Sequence, residues 1–156
     1  MVTSKRIMFD TNIYDNIVDQ IHEINKTTDR IDYYITAIQI EEICKIPDSK
    51  ENIEETRTRN FLRLVILRAK IVPTSIFILG YSRFDYACWS TPEAVQIYNK
   101  FVNPSGNNIK DAIIATTAVC EGCILVTEDK LLYNKMKVNN YEVMNLNEFK
   151  KFININ

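Results

Sequence analysis

The stretch Asn107–Leu132, NNIKDAIIATTAVCEGCILVTEDKLL, constrains the fold more than any other part of the chain. A polar start, an apolar run at helical spacing, a Gly-containing turn and a short apolar run predict a helix, a turn and a buried strand. Asp111 lies just inside the helix start and Asp129 just past the strand, so one helix–strand unit carries a carboxylate at each of its outer ends. A third, Asp10, follows the apolar run KRIMF, which is too short for a helix and suits a buried strand.

The rest of the chain alternates in the same way. Ile13, Ile17, Ile21 and Ile24 stand at helical spacing, and Ile31–Ile35 form a second strand run. Thr36 and Gln39 match a capping box that opens a helix with an apolar stripe at Ile40, Ile43 and Cys44, ended by Pro47. Glu41 and Glu42 both lie off that stripe, and periodicity does not choose between them. TRTRNFLRLVILRAK predicts a helix with Phe61, Leu62, Val65 and Ile66 on one side and Arg59, Arg63 and Lys70 on another. The basic face is either a solvated surface or a phosphate-contacting patch.

Ile71-Val72 begins a third strand. Residues 74–89 are aromatic and follow no clean period. Thr91-Pro92-Glu93 starts a helix running to about Phe101, and Asn108 is the expected N-cap of Ile109–Cys120. Ile124–Val126 is strand four, Leu131–Lys137 a short helix, Tyr141–Met144 strand five and Asn147–Phe152 a last helical turn. Strands alternating with helices imply an α/β fold with a mostly parallel sheet, whose sites form beyond the strands' C-terminal ends. Asp10 and Asp129 lie past two such ends.

A chain of 156 residues is long enough for one well-packed domain, spanning 1–156, and its three glycines and four prolines leave little room for linkers. The net charge of −1 gives no broad attraction to polyanions, so a nucleic-acid partner would be held by a local patch or through bound metal. No apolar run approaches a membrane span and MVTSKRIMFD lacks a signal segment, which predicts a cytoplasmic protein. Cys44, Cys88, Cys120 and Cys123 are expected as buried structural thiols, although Cys120 and Cys123 do match a CxxC spacing. His22 is the only histidine, which leaves no histidine-based zinc centre or nucleophilic triad, and no glycine-rich nucleotide loop is present.

Each acid alone has a structural explanation. Asp10 suits a turn, Asp111 a helix dipole, Asp129 a cap and Glu42 an exposed helix face. Together they mean more. Ionised pairs about 5 Å apart repel by roughly 3–4 kcal/mol at an effective dielectric of 20, so such a cluster holds protons or a divalent cation. An open site of hard oxygens suits Mg²⁺ or Mn²⁺.

FDTN at Phe9–Asn12 resembles the opening motif of PIN-domain ribonucleases. ITAIQIEEI resembles that family's second motif, and its interval from Thr36 selects Glu42 over Glu41. KDAIIATTA resembles the third, with Asp111 as the acid and Ala115 in the small position, and LVTEDKLL the fourth, with Thr127 and Asp129. The motifs run in family order along nearly the whole chain, while Tyr81–Trp89 falls outside the pattern. The resemblance implies a three-layer α/β/α sandwich with strand order 3-2-1-4-5 and a metal-dependent RNA-cleaving site. It makes Asp10, Glu42, Asp111 and Asp129 the holders of one or two Mg²⁺ or Mn²⁺ ions. Thr11, Asn12 and Thr127 would orient them, Glu128 would share or shift the metal role, and Arg59, Arg63 and Lys130 would contact phosphates. Small stand-alone chains of this kind are similar to VapC-type toxins, which dimerise and are inhibited by a cognate antitoxin. The alternative is a non-catalytic PIN-like module that binds RNA or a protein. An aspartyl-nucleophile phosphatase fits poorly, because DTN replaces the DxD expected after strand one.

Overall fold

The computed structural model describes residues 4–17, 24, 27, 30–45 and 68–154. Five strands form one parallel sheet: β1 (Lys5–Phe9), β2 (Ile31–Thr36), β3 (Lys70–Val72), β4 (Ile124–Val126) and β5 (Val143–Met144). Their order is β3-β2-β1-β4-β5, as the resemblance implied. β1 is central, pairing Ile7 with Tyr33 of β2 and with Ile124 of β4. Among the described residues the helices are α1 (Ile13–Ile17), α2 (Ala37–Cys44), α3 (Pro92–Phe101), α4 (Ile109–Cys120), α5 (Lys130–Val138) and α6 (Leu146–Asn154).

The buried stretches of β1, β2 and β4 are apolar on both faces, and their alternation sends successive residues into two cores. Met8, Tyr34 and Leu125 pack with α3, α4 and α5 through Tyr98, Phe101, Ile113 and Met136. Ile7, Phe9, Tyr33, Ile35, Ile124 and Val126 pack with α1 and α6 through Ile13, Tyr14, Ile17 and Phe149. Helices on both faces make three layers. The turn from α4 into β4 is closed by Gly122, whose φ of +63° is a left-handed conformation that glycine adopts without strain. No helix among the described residues is long and apolar enough to cross a membrane.

Several expectations need correction. α2 buries Ile38, Gln39 and Ile43, whereas Ile40 is half-buried and Cys44 is exposed. Lys70 is not on a basic helix face; it opens β3, and its Nζ lies 2.9 Å from Asp32 Oδ1. Helical spacing had carried the pattern past a strand boundary. Only Cys123 is a buried thiol, pushed up to about 12 by burial, and Cys44, Cys88 and Cys120 are exposed. Asn108 does stand at the N-cap position of α4, but its side chain makes no cap bond: its Oδ1 accepts from Asn103 N–H at 2.7 Å and its amide donates to Phe101 O at 3.0 Å. Residues 18–23 of the helix expected to reach Ile24, His22 among them, and most of the predicted 56–70 helix lie outside the described residues.

The segment without a period, 74–90, contains one short 3-10 turn, Phe84–Tyr86, and is otherwise held by single contacts. Thr74 and Ala87 form one isolated bridge, Ser75 N–H donates to Thr117 Oγ1 of α4 at 3.1 Å, and Ile76 is buried. Phe77 packs against Phe84 and Trp89 at centroid distances of 4.9 and 5.9 Å, with Trp89 left 83% exposed.

Candidate active site

Because all five strands run parallel, their C-terminal ends share one edge, and the acids gather there. Asp10 follows β1 and is only 1% exposed. Two donors hold its carboxylate: Thr127 Oγ1–H donates to Oδ2 at 2.7 Å, and Thr11 N–H donates to Oδ1 at 2.8 Å. Thr127 follows β4 and is fully buried; its hydroxyl oxygen also accepts from Asp129 N–H at 3.0 Å. The ends of the two central strands are thereby locked together around one carboxylate.

Glu42 comes from α2. The Thr36–Gln39 capping box starts this helix where β2 stops, and the buried Gln39 amide donates to Phe9 O at the end of β1. The start of α2 is thus tied to the strand that ends in Asp10, and Glu42 comes to the cleft one turn later. Its Oε2 accepts from Thr11 Oγ1–H at 2.7 Å and its Oε1 lies 2.9 Å from Lys110 Nζ. Glu41 instead pairs with Arg83, so the geometry separates the two neighbours that periodicity left open.

Asp111 enters from the first turn of α4. Its carboxyl is raised to about 6, chiefly by burial and then by the charges of Asp10, Glu42 and Asp129, with Lys110 opposing. Asp10 is raised as well: burial dominates, Thr127 and Thr11 pull it down, and Asp129 and Glu42 add to the rise. The four acids therefore share one electrostatic field. Asp129 also has a structural role, since its Oδ1 accepts from Leu131 N–H at 2.7 Å and Leu132 N–H at 3.1 Å and caps α5.

The remaining sequence candidates are placed differently. Asn12 is exposed beside Thr11, and Lys130 is exposed at the start of α5. Glu128 is turned to the α6 side, where its Oε1 accepts from Leu146 N–H at 2.8 Å. Arg59 and Arg63 lie outside the described residues. Three participants were not singled out as site residues. Lys110 shows as a lysine directly preceding Asp111. Gln39 was legible only as a capping residue. The Tyr14 hydroxyl is fully buried without a hydrogen-bond partner, and burial together with Asp10 raises its pKa. Among the described residues, no three His, Cys, Asp or Glu side chains converge as a ready-made metal centre. Glu42 is engaged by Lys110 and Asp129 by the amides of α5.

The fold is shared with solved structures. VapBC2 from Rickettsia felis, bound to a DNA fragment from their promoter, matches with a TM-score of 0.59 over 90% of this chain and 98% of that one, at 18% identity. VapBC-1 from nontypeable Haemophilus influenzae matches with a TM-score of 0.55 over 90% and 97%, at 16% identity. The chain has a VapC-like PIN fold. Searches of protein-family models and of curated sequences return no match. At identities this low the likeness carries the PIN architecture alone, and the chemistry rests on the side chains at the edge.

Proposed function

We propose that this PIN domain is a metal-dependent endoribonuclease acting as a VapC-type toxin. The observation that carries the reading is the buried Asp10 in one field with Glu42, Asp111 and Asp129, strong enough with burial to raise Asp111 to about 6. A set of carboxylates and threonine hydroxyls fits Mg²⁺ or Mn²⁺ in ligand type and charge. Bound there, the ion would polarise the phosphate and make water a nucleophile near neutral pH.

The chain's own residues prepare that chemistry. Thr127 and Thr11 fix the Asp10 carboxylate, and Thr11 also fixes Glu42, so two acids are oriented before any ligand arrives. Lys110 offsets part of the negative charge beside Glu42, where a cation would otherwise be needed. Asp111, with a pKa of about 6, exchanges its proton close to neutral pH. Lys130, with Arg59 and Arg63, would supply the phosphate contacts that an acidic cleft needs. Both similar structures are VapBC proteins, which supports an antitoxin as partner; a homodimer in the cytoplasm completes the proposal.

The test is cleavage of a mixed RNA pool with Mg²⁺, Mn²⁺ or EDTA, wild type beside Asp10→Asn. Metal-dependent cutting that disappears in the variant supports the nuclease. The Lys110–Glu42 pair gives the non-catalytic reading its one specific support, because a permanent internal cation would suit a module that binds without cutting. RNA binding with neither cleavage nor metal uptake would favour that module.

A further inference from the structure

A cavity of about 310 Å³ opens beside the acids on the α5–α6 side, lined in part by Thr127, Lys130, Tyr133, Asn134, Asn145 and Asn147. We propose that it is a base-reading subsite, which takes an unpaired nucleobase of the RNA next to the phosphate being cut. This rests on the nuclease reading above and adds the means of sequence selection.

Place, size and chemistry each support it. Thr127 belongs both to the cavity wall and to the Asp10 hydrogen bond, so a base seated here lies beside the reacting centre. The volume stands at the low end of the roughly 300–1,000 Å³ of small-molecule sites, which suits a single nucleoside. Three of the seven lining residues are asparagines: the Asn134 and Asn147 carboxamides offer donors and an acceptor, the pairing pattern that a base edge presents, while Asn145 Oδ1 and the Glu128 carboxylate already accept from Glu148 N–H and Leu146 N–H. Tyr133 adds an aromatic ring and Lys130 a cation for the adjoining phosphate, the combination by which proteins hold splayed single-stranded RNA.

The wall is also held in shape. Asn145 and Glu148 cap α6 reciprocally, with Asn145 N–H donating to Glu148 Oε2 and Glu148 N–H to Asn145 Oδ1, both at 2.8 Å. Tyr133 Oη–H donates to the same Glu148 carboxylate at 3.0 Å. Glu128 accepts from Leu146 N–H across the rim. The Tyr133 ring and Asn145 are therefore set before a ligand enters, which favours discrimination between bases.

The experiment uses the full chain carrying Asp10→Asn, so that bound RNA is not consumed, with and without Asn134→Ala and Asn147→Ala. Both asparagines are exposed, and circular dichroism checks that the fold persists. Short labelled homopolymers of A, C, G and U are titrated by fluorescence anisotropy, and the four nucleoside monophosphates by NMR. The expected result is a preference for one base, lost together with about tenfold in affinity in the double variant, with shifts at the amides of Asn134 and Asn147. Base preference that survives both substitutions, or nucleotides that leave these amides unshifted, overturns the subsite. Shifts at these amides without metal-dependent cleavage by the wild type would uphold the subsite and overturn the nuclease.

Discussion

Lys110 Nζ lies 2.9 Å from Glu42 Oε1, so the acid cluster contains its own counter-cation. The two side chains are 33% and 22% exposed, which leaves the pair only partly screened by water. Lys110→Met removes the one charge opposing the rise in Asp111, whose pKa should climb further. The metal-free variant should lose about 1 kcal/mol at neutral pH. A divalent cation should raise its melting temperature more than that of the wild type. Thermal melts with EDTA and with Mn²⁺ check both statements, and equal shifts in the two proteins would refute the role.

Asp10→Asn should leave the fold intact and reduce cleavage by at least about 100-fold, beyond the roughly 10–100-fold typical of residues that only orient metal ligands. The amide keeps the shape and one acceptor for Thr127 but loses the charge. Circular dichroism beside the RNA assay separates loss of chemistry from loss of structure.

Asp111 gives a pH dependence of defined sign. Its folded-state value of about 6 exceeds the ordinary 3.8, so in that window the folded chain binds more protons than the unfolded one. Metal-free stability from this group is greatest below the ordinary value and falls as pH rises toward about 6. Asp10, also raised, acts in the same direction. Cation affinity should do the opposite and strengthen as pH climbs through about 6. Melts in EDTA across this range, compared with Asp111→Asn, isolate the contribution, because Asp32 and Glu148 are lowered in both proteins and cancel in the difference.

Gln39→Leu should impair cleavage although the side chain touches no ligand. The amide is buried, donates to Phe9 O and closes the capping box with Thr36 N–H at 2.7 Å. Its loss should cost about 1–3 kcal/mol through unmet buried partners and release the start of α2 from β1. Metal affinity measured by calorimetry should fall along with activity; unchanged affinity in a folded variant would remove Gln39 from the positioning of Glu42.

Most element boundaries were legible because the core is made of alternating strands and apolar helices, and both periods are local. β1, β4 and α4 match their predicted spans to the residue. The choice of Glu42 was legible only through its interval from Thr36, since Glu41 and Glu42 share a helix face in any local reading. The Lys110–Glu42 and Gln39–Phe9 contacts span 68 and 30 residues and leave no periodic trace. Segment 74–90 was opaque for the same reason: a bridge, a 3-10 turn, scattered hydrogen bonds such as Phe77 N–H to Ser90 Oγ, and a few packed rings hold it, and none of these repeats along the chain.

The bond between Thr127 and Asp10 joins residues 117 positions apart, and it has a consequence for timing. Synthesis proceeds from the N-terminus, so the first acid is made early while its partners on α4 and after β4 come near the end. A growing chain that has completed β1, α1 and β2 still lacks Thr127, Asp111 and Asp129. The edge closes only when β4 slots in beside β1. A partly made copy therefore lacks the assembled acid cluster, and a chain stopped before β4 carries Asp10 without Thr127 or Asp129.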